Sequence, residues 1–158
     1  MTVILWTASQ CRTDPGYGGW AFVRRAEGAS GPDAIRGAAG GERRTSAARM
    51  SLTALIEALA GLSDLPADTA VTLRFADPAL AAELVSTEGA YATAEPEAWA
   101  AARAAVAARP LLTLAPLATT TPACGFLAAW ADFGLDTAKT RGSFKAAIPK
   151  PNLLKFSG

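Results

Sequence analysis

The sequence carries fifteen Lys and Arg against fourteen Asp and Glu, and its cations are clustered. Arg43, Arg44 and Arg49 cluster where a helical pattern begins. Guanidinium groups so placed could hold phosphates, and a solvated cationic surface accounts for them equally well. Histidine is absent, which excludes His-based triads, His proton shuttles and His-rich metal sites. Cys11 and Cys124 lie far apart and form no metal-ligand spacing. They read as two buried, reduced thiols of a cytoplasmic protein. Trp99 and Trp130 fall in helical patterns and read as core or interface rather than base-stacking platforms.

The other cations are gathered at the C-terminal end. All fourteen acidic residues lie at or before Asp136, and all four lysines lie after it, at Lys139, Lys145, Lys150 and Lys155, joined by Arg141. Residues 1–136 carry net −4 and residues 137–158 net +5. The expected organisation is therefore one domain, 1–136, followed by a basic, Pro-containing tail, 137–158. Pro149 and Pro151 argue against a regular element there. Phe144, Ile148, Leu153, Leu154 and Phe156 are more large apolar residues than a solvated linker needs. Either the tail packs along its own acidic body, or it enters a protein partner as an extended peptide. The charge split and the lack of helical spacing favour the second. The candidate partner-binding residues are then Lys139, Arg141, Phe144, Lys145, Lys150, Leu153, Leu154, Lys155 and Phe156.

These residues need elements to position them, and the composition provides for a core. The chain is 51% hydrophobic and 18% charged, which fits one folded domain and not a disordered chain. No apolar run reaches the ~18 residues of a transmembrane helix. Met1-Thr2 leads into a strand pattern with no basic leader, so no signal peptide is expected. The stretch Val3–Val23 reads as a hairpin: the apolar run Val3–Trp6, turn chemistry at Asp14-Pro15-Gly16, and re-entry through Gly18-Gly19 into a second strand. A third strand, about Ala34–Ala39, is weakly signalled, and Gly40-Gly41 reads as a break. Thr45 or Ser46 caps a helix over Ala47–Leu62, whose stripe is Met50, Leu52, Leu55, Ile56 and Leu59. Ala70–Phe75 reads as a strand, Ala79–Val85 and Pro96–Ala108 as helices, and Leu111–Leu117 as a strand. A last helix spans Gly125–Phe133, ended by Gly134.

Two segments of this pattern resemble type 1 ribonuclease H. The first is the hairpin, through Trp6, Thr7, Cys11, Asp14, Pro15, Gly16, Gly18, Gly19 and Trp20. The second is TSAARMSL, Thr45–Leu52, through Arg49, Met50 and Leu52. The likeness covers about residues 3–133. It implies an α/β fold with a mixed five-stranded sheet flanked by helices, opened by an antiparallel meander, with the extended basic tail beyond it.

Ribonuclease H hydrolyses the RNA of a hybrid with two divalent ions, which converging carboxylates must hold. The resemblance places the family's four acids on Ala8, Ser51, Ala76 and, with Pro122 on the loop proline, Ala128. It places two asparagines that contact the nucleic-acid backbone on Ala47 and Ala48. The family's basic helix extension falls near Ser86–Tyr91, which carries Glu88 and no Lys or Arg. Asp77, one residue past Ala76, and Asp132, one helical turn past Ala128, are the residual metal-ligand candidates. A helix N-cap and a solvated helix residue account for them as well. The resulting expectation is a pseudoenzyme with no catalytic residue and no cofactor. It would be a non-catalytic binding or assembly module that engages a protein through its tail, or nucleic acid weakly through Arg43, Arg44 and Arg49 with the tail lysines. The alternative is a divergent Mg²⁺-dependent RNA–DNA hybrid ribonuclease built on Asp77 and Asp132.

Overall fold

The structure is a computed structural model that describes residues 2–13 and 15–158. Asp14, expected in the hairpin turn, lies outside the described residues. Strands β1 (Thr2–Arg12), β2 (Gly16–Ala26) and β3 (Ile35–Thr45) form an antiparallel meander. The opening apolar run is buried on both faces as its composition requires: Val3 and Leu5 point into one core and Trp6 into the other. Helix α1 (Ala47–Ala60) begins at Ser46, whose Oγ accepts the Arg49 N–H at 3.0 Å. It buries Met50, Leu52, Leu55 and Leu59 along one stripe.

Strand β4 (Ala70–Phe75) returns parallel to β1, with Thr7 opposite Phe75. Three helices follow: α2 (Leu80–Val85), α3 (Ala90–Ala94) and α4 (Pro96–Ala107). The short α3 lies inside Ser86–Pro96, which the sequence pattern leaves as a loop. Strand β5 (Leu112–Pro116) pairs parallel with β4. Helix α5 (Pro122–Arg141), strand β6 (Phe144–Ala147) and the single turn α6 (Lys150–Leu153) complete the chain. The sheet is mixed, in the order β5-β4-β1-β2-β3-β6. Its sixth strand comes from the C-terminal segment and pairs antiparallel with β3.

One core lies between the sheet and α1, α2 and α4; the other lies between the sheet, α5 and the C-terminal residues Ile148, Leu153 and Phe156. Glycine accounts for two departures from the sequence pattern. Gly40 and Gly41 lie within β3, and Gly134 lies within α5. They allow the helix and strand backbones to touch. Helix α5 therefore continues without a break through positions 136 and 137, where the domain and the tail were expected to divide.

The C-terminal segment runs along its own body. The Ile148 N–H donates to Gly37 O at 2.9 Å, and Lys145 pairs with Glu57 at 3.0 Å. Lys150 pairs with Asp33, and Arg25 donates to the Gly158 carbonyl. Phe156 sets its ring against Trp6 at 4.9 Å and Phe126 at 5.3 Å, both edge to face. Such contacts make the segment part of the second core. Phe156→Ala is expected to cost about 3 kcal/mol, or roughly 6–12 °C in melting temperature. A melting curve unchanged by the substitution would show that Phe156 is not packed in solution.

Candidate functional site

The middle of β1, the end of β4 and the first turns of α1 bring Ala8, Ser51, Ala76 and Asp77 to one place. The Ala76 N–H donates to Thr7 O at 3.1 Å, which fixes the end of β4 beside mid-β1. Ser51, buried on the inward side of α1, donates its hydroxyl to Asp77 Oδ2 at 2.6 Å. The Tyr91 hydroxyl on α3 donates to the same oxygen at 2.5 Å. Asp77 Oδ1 accepts the Ala79 N–H at 3.0 Å, in the turn that leads into α2. Three of the roughly four lone-pair positions of a carboxylate are thus filled by protein donors. A partly open crevice lined by Thr7, Ala8, Ser51, Ala76 and Asp77 leaves about 10 Å³, about the room of one water molecule.

Tyr91 is held from both ends. Its N–H donates to Glu83 Oε2 at 3.1 Å, and the Glu83 carbonyl accepts the Trp99 indole N–H at 2.8 Å. Burial pushes the Tyr91 phenol well above its ordinary value of 10.0, and the hydrogen bond to Asp77 and the charges of Asp77 and Glu83 add to the shift. Tyr91 was missed in the sequence. It lies within Ser86–Pro96, which has the pattern of a loop, and nothing in its neighbours announces an inward-pointing hydroxyl.

The other candidates lie elsewhere. Ala128 is half-buried on α5. Asp132 is exposed and lines a separate depression of about 240 Å³ with Gln10, Cys11, Arg12 and Leu135. Among the described residues no three Asp, Glu, Cys or His side chains gather as a metal-ligand group. Cys124 is buried, and burial pushes its thiol up. Cys11, expected to be buried, is only half-buried, and its thiol donates to Thr13 O at 3.1 Å. Trp99 packs against the first core and Trp130 against the second.

The three arginines do not form one patch. Arg49 pairs with Glu42 at 3.0 Å and Glu95 at 3.7 Å. Arg43 reaches the end of α5, with Nε to Ala138 O at 2.9 Å and Nη2 to Lys139 O at 2.8 Å. Arg44 is exposed. Among the residues expected to meet a partner, Leu153 and Phe156 are buried in the protein's own core, and Phe144 packs its ring 6.3 Å from Phe133. Lys145 and Lys150 are ion-paired to the body, while Arg141, Leu154 and Lys155 are exposed. Lys139 contacts Asp136 and Tyr17.

An antiparallel meander, a parallel crossover through α1 and a helix across the far face make up a familiar topology. The chain has the ribonuclease H fold. The ribonuclease H1 of Halobacterium salinarum superposes with a TM-score of 0.69 at 19% identity, covering 87% of this chain and 100% of that one. The N-terminal ribonuclease H domain of a Mycobacterium tuberculosis protein gives 0.72 at 13% identity, covering 87% and 96%. LC11 ribonuclease H1, solved with an RNA/DNA hybrid, gives 0.71 at 18% identity, covering 87% and 99%. No family model and no curated protein matches in sequence. Among the described residues no helix is long and apolar enough to cross a membrane.

On this ribonuclease H fold, Tyr91 ties α3 to the end of β4. In the unfolded chain its phenol ionises near pH 10.0, and in the fold only well above that. Its contribution is therefore complete below pH 10 and is lost as pH rises beyond it. Tyr91→Phe should lower stability at neutral pH by about 1–2 kcal/mol. It should also flatten the fall of melting temperature above pH 10. The same alkaline slope in both proteins would contradict the assignment.

Proposed function

We propose that this chain is a non-catalytic binding module on a ribonuclease H fold, with nucleic acid as a weak ligand. The observation that carries the reading is the commitment of Asp77. Its carboxylate takes two hydroxyls and a backbone N–H at the place where Ala8 and Ala76 offer no side-chain oxygen. Two-ion hydrolysis needs carboxylates around cations roughly 3.5–4 Å apart. One carboxylate already filled with donors does not fit such a pair. A hydroxyl such as Ser51 is a poor replacement for a charged ligand of a hard cation. Asp132, which lines another depression, adds no second anchor to Asp77.

Weak binding is expected because residues 1–136 carry net −4, and because Arg49 is neutralised by two glutamates. The docked C-terminal segment supports nucleic acid over a protein captured by that segment, since Leu153 and Phe156 are covered by the chain itself. The test is cleavage of a labelled RNA–DNA hybrid in Mg²⁺ or Mn²⁺. Purified protein should leave the hybrid intact. Metal-dependent cleavage that Asp77→Asn abolishes would overturn the reading in favour of a divergent hybrid ribonuclease.

A further inference from the structure

A groove lies away from the Asp77 cluster, between the start of β2, the end of β3 and the end of α5. It has a volume of about 640 Å³ and is lined by Pro15, Gly16, Tyr17, Arg43, Arg44 and Lys139. Half of its lining residues are cations, and among the described residues no carboxylate lines it. Asp136 pairs with Lys139 at 3.6 Å from outside the lining, and with Arg12 at 3.5 Å. Both are solvent-exposed pairs, which an incoming anion can outcompete.

Two features suggest a site and not a chance gathering of charge. The Arg43 guanidinium is held in place by two carbonyls of α5, so little ordering is needed when it meets a ligand. The backbone beside the groove is also strained. Among the described residues, the non-glycine positions with positive φ are Thr13 (φ 59) and Arg44 (φ 52), and Arg44 lines the groove. Arginine in the left-handed region costs energy and persists where the surroundings enforce it. Here the conformation accompanies an Arg44 side chain that lines the groove.

The ligand chemistry follows from the lining. Three cations want an anion with spread charge, and arginine favours the paired oxygens of a phosphate. Tyr17 is 39% exposed and offers an aromatic surface beside those cations, with the Lys139 ammonium 5.7 Å from its ring. A phosphate next to an aromatic wall is the pattern of a single nucleic-acid strand, whose backbone meets cations while a base meets a ring. We propose that this groove binds a single-stranded segment of nucleic acid, with phosphates on Arg43, Arg44 and Lys139 and a base against Tyr17. The proposal rests on the nucleic-acid reading of the chain and gives that reading a location.

Fluorescence anisotropy with labelled single-stranded RNA and DNA oligonucleotides at low salt tests it, on the full chain. The variants are Arg44→Ala, Lys139→Ala and Tyr17→Ala, with Arg103→Ala as a control on α4, away from the groove. Each is checked by its melting curve. Wild type should bind, and Arg44→Ala and Lys139→Ala should each weaken binding several-fold. Each should also flatten the dependence of log affinity on log salt by about 0.7, the loss of one single-strand phosphate contact. Tyr17→Ala should weaken binding with the salt slope unchanged, and Arg103→Ala should behave as wild type. If wild type binds and all folded groove variants match it in affinity and slope, the groove assignment is wrong while nucleic-acid binding stands. If wild type binds neither strand at low salt, both the nucleic-acid reading and the groove are overturned.

Discussion

Helix α5 meets the sheet with no side chain between them at three positions, and much of the molecule is arranged around that contact. A Cβ on Gly19 would stand 1.9 Å from Ala131 O, one on Gly41 2.2 Å from Gly134 O, and one on Gly134 2.0 Å from Gly40 O. Each obstacle is backbone, which cannot swing aside as a side chain would. Only glycine fits, and the helix is pressed against β2 and β3 over its second half. This fixes where the helix ends. The carbonyls of Ala138 and Lys139 come within reach of Arg43, and Lys139 comes beside Tyr17. The chain then turns at Gly142 (φ 82) and runs back beside β3 as β6. The cationic groove and the docked C-terminal segment both follow from one close approach.

On the other face of the sheet, the α1 side, charge governs. Asp77 is satisfied locally: Ser51 comes from α1, Tyr91 from α3, and the Ala79 N–H from the turn before α2. A carboxylate serving three donors is a tie among elements. The same hydroxyls would have to be pulled away before it could serve a cation. Charge-assisted hydrogen bonds of this kind are stronger than neutral ones, so the tie resists rearrangement.

The sequence carried the central elements clearly. The apolar run at Val3–Trp6, the Ser46 cap with its Met50–Leu59 stripe, and the strand Ala70–Phe75 are local patterns, and local physics decides them. The glycines were harder to read. Gly40, Gly41 and Gly134 look like breaks because a sequence does not reveal that a backbone elsewhere in the chain will press on them. The short stripe of large residues in the C-terminal segment announced burial, yet periodicity could not say against what. Phe156 finds Trp6 and Phe126, contacts that no spacing rule connects. Within the site, Ala8, Ser51 and Ala76 come together around one crevice, and Tyr91 entered only through three-dimensional proximity. The arginines 43, 44 and 49 were legible as charges and not as partners. Glu42 and Glu95 claim one, and the end of α5 claims another.

If Asp77 is a structural tie, divalent cations should find no place beside it. Thermal melting with and without millimolar Mg²⁺ or Mn²⁺ reads this directly, because a ligand that binds only the folded state raises the melting temperature by mass action. The melting temperature should be the same with and without the metal, apart from a general ionic-strength effect matched by NaCl. A metal-specific rise that disappears in Asp77→Asn would contradict the structural role of Asp77 and place a cation at the end of β4, beside mid-β1.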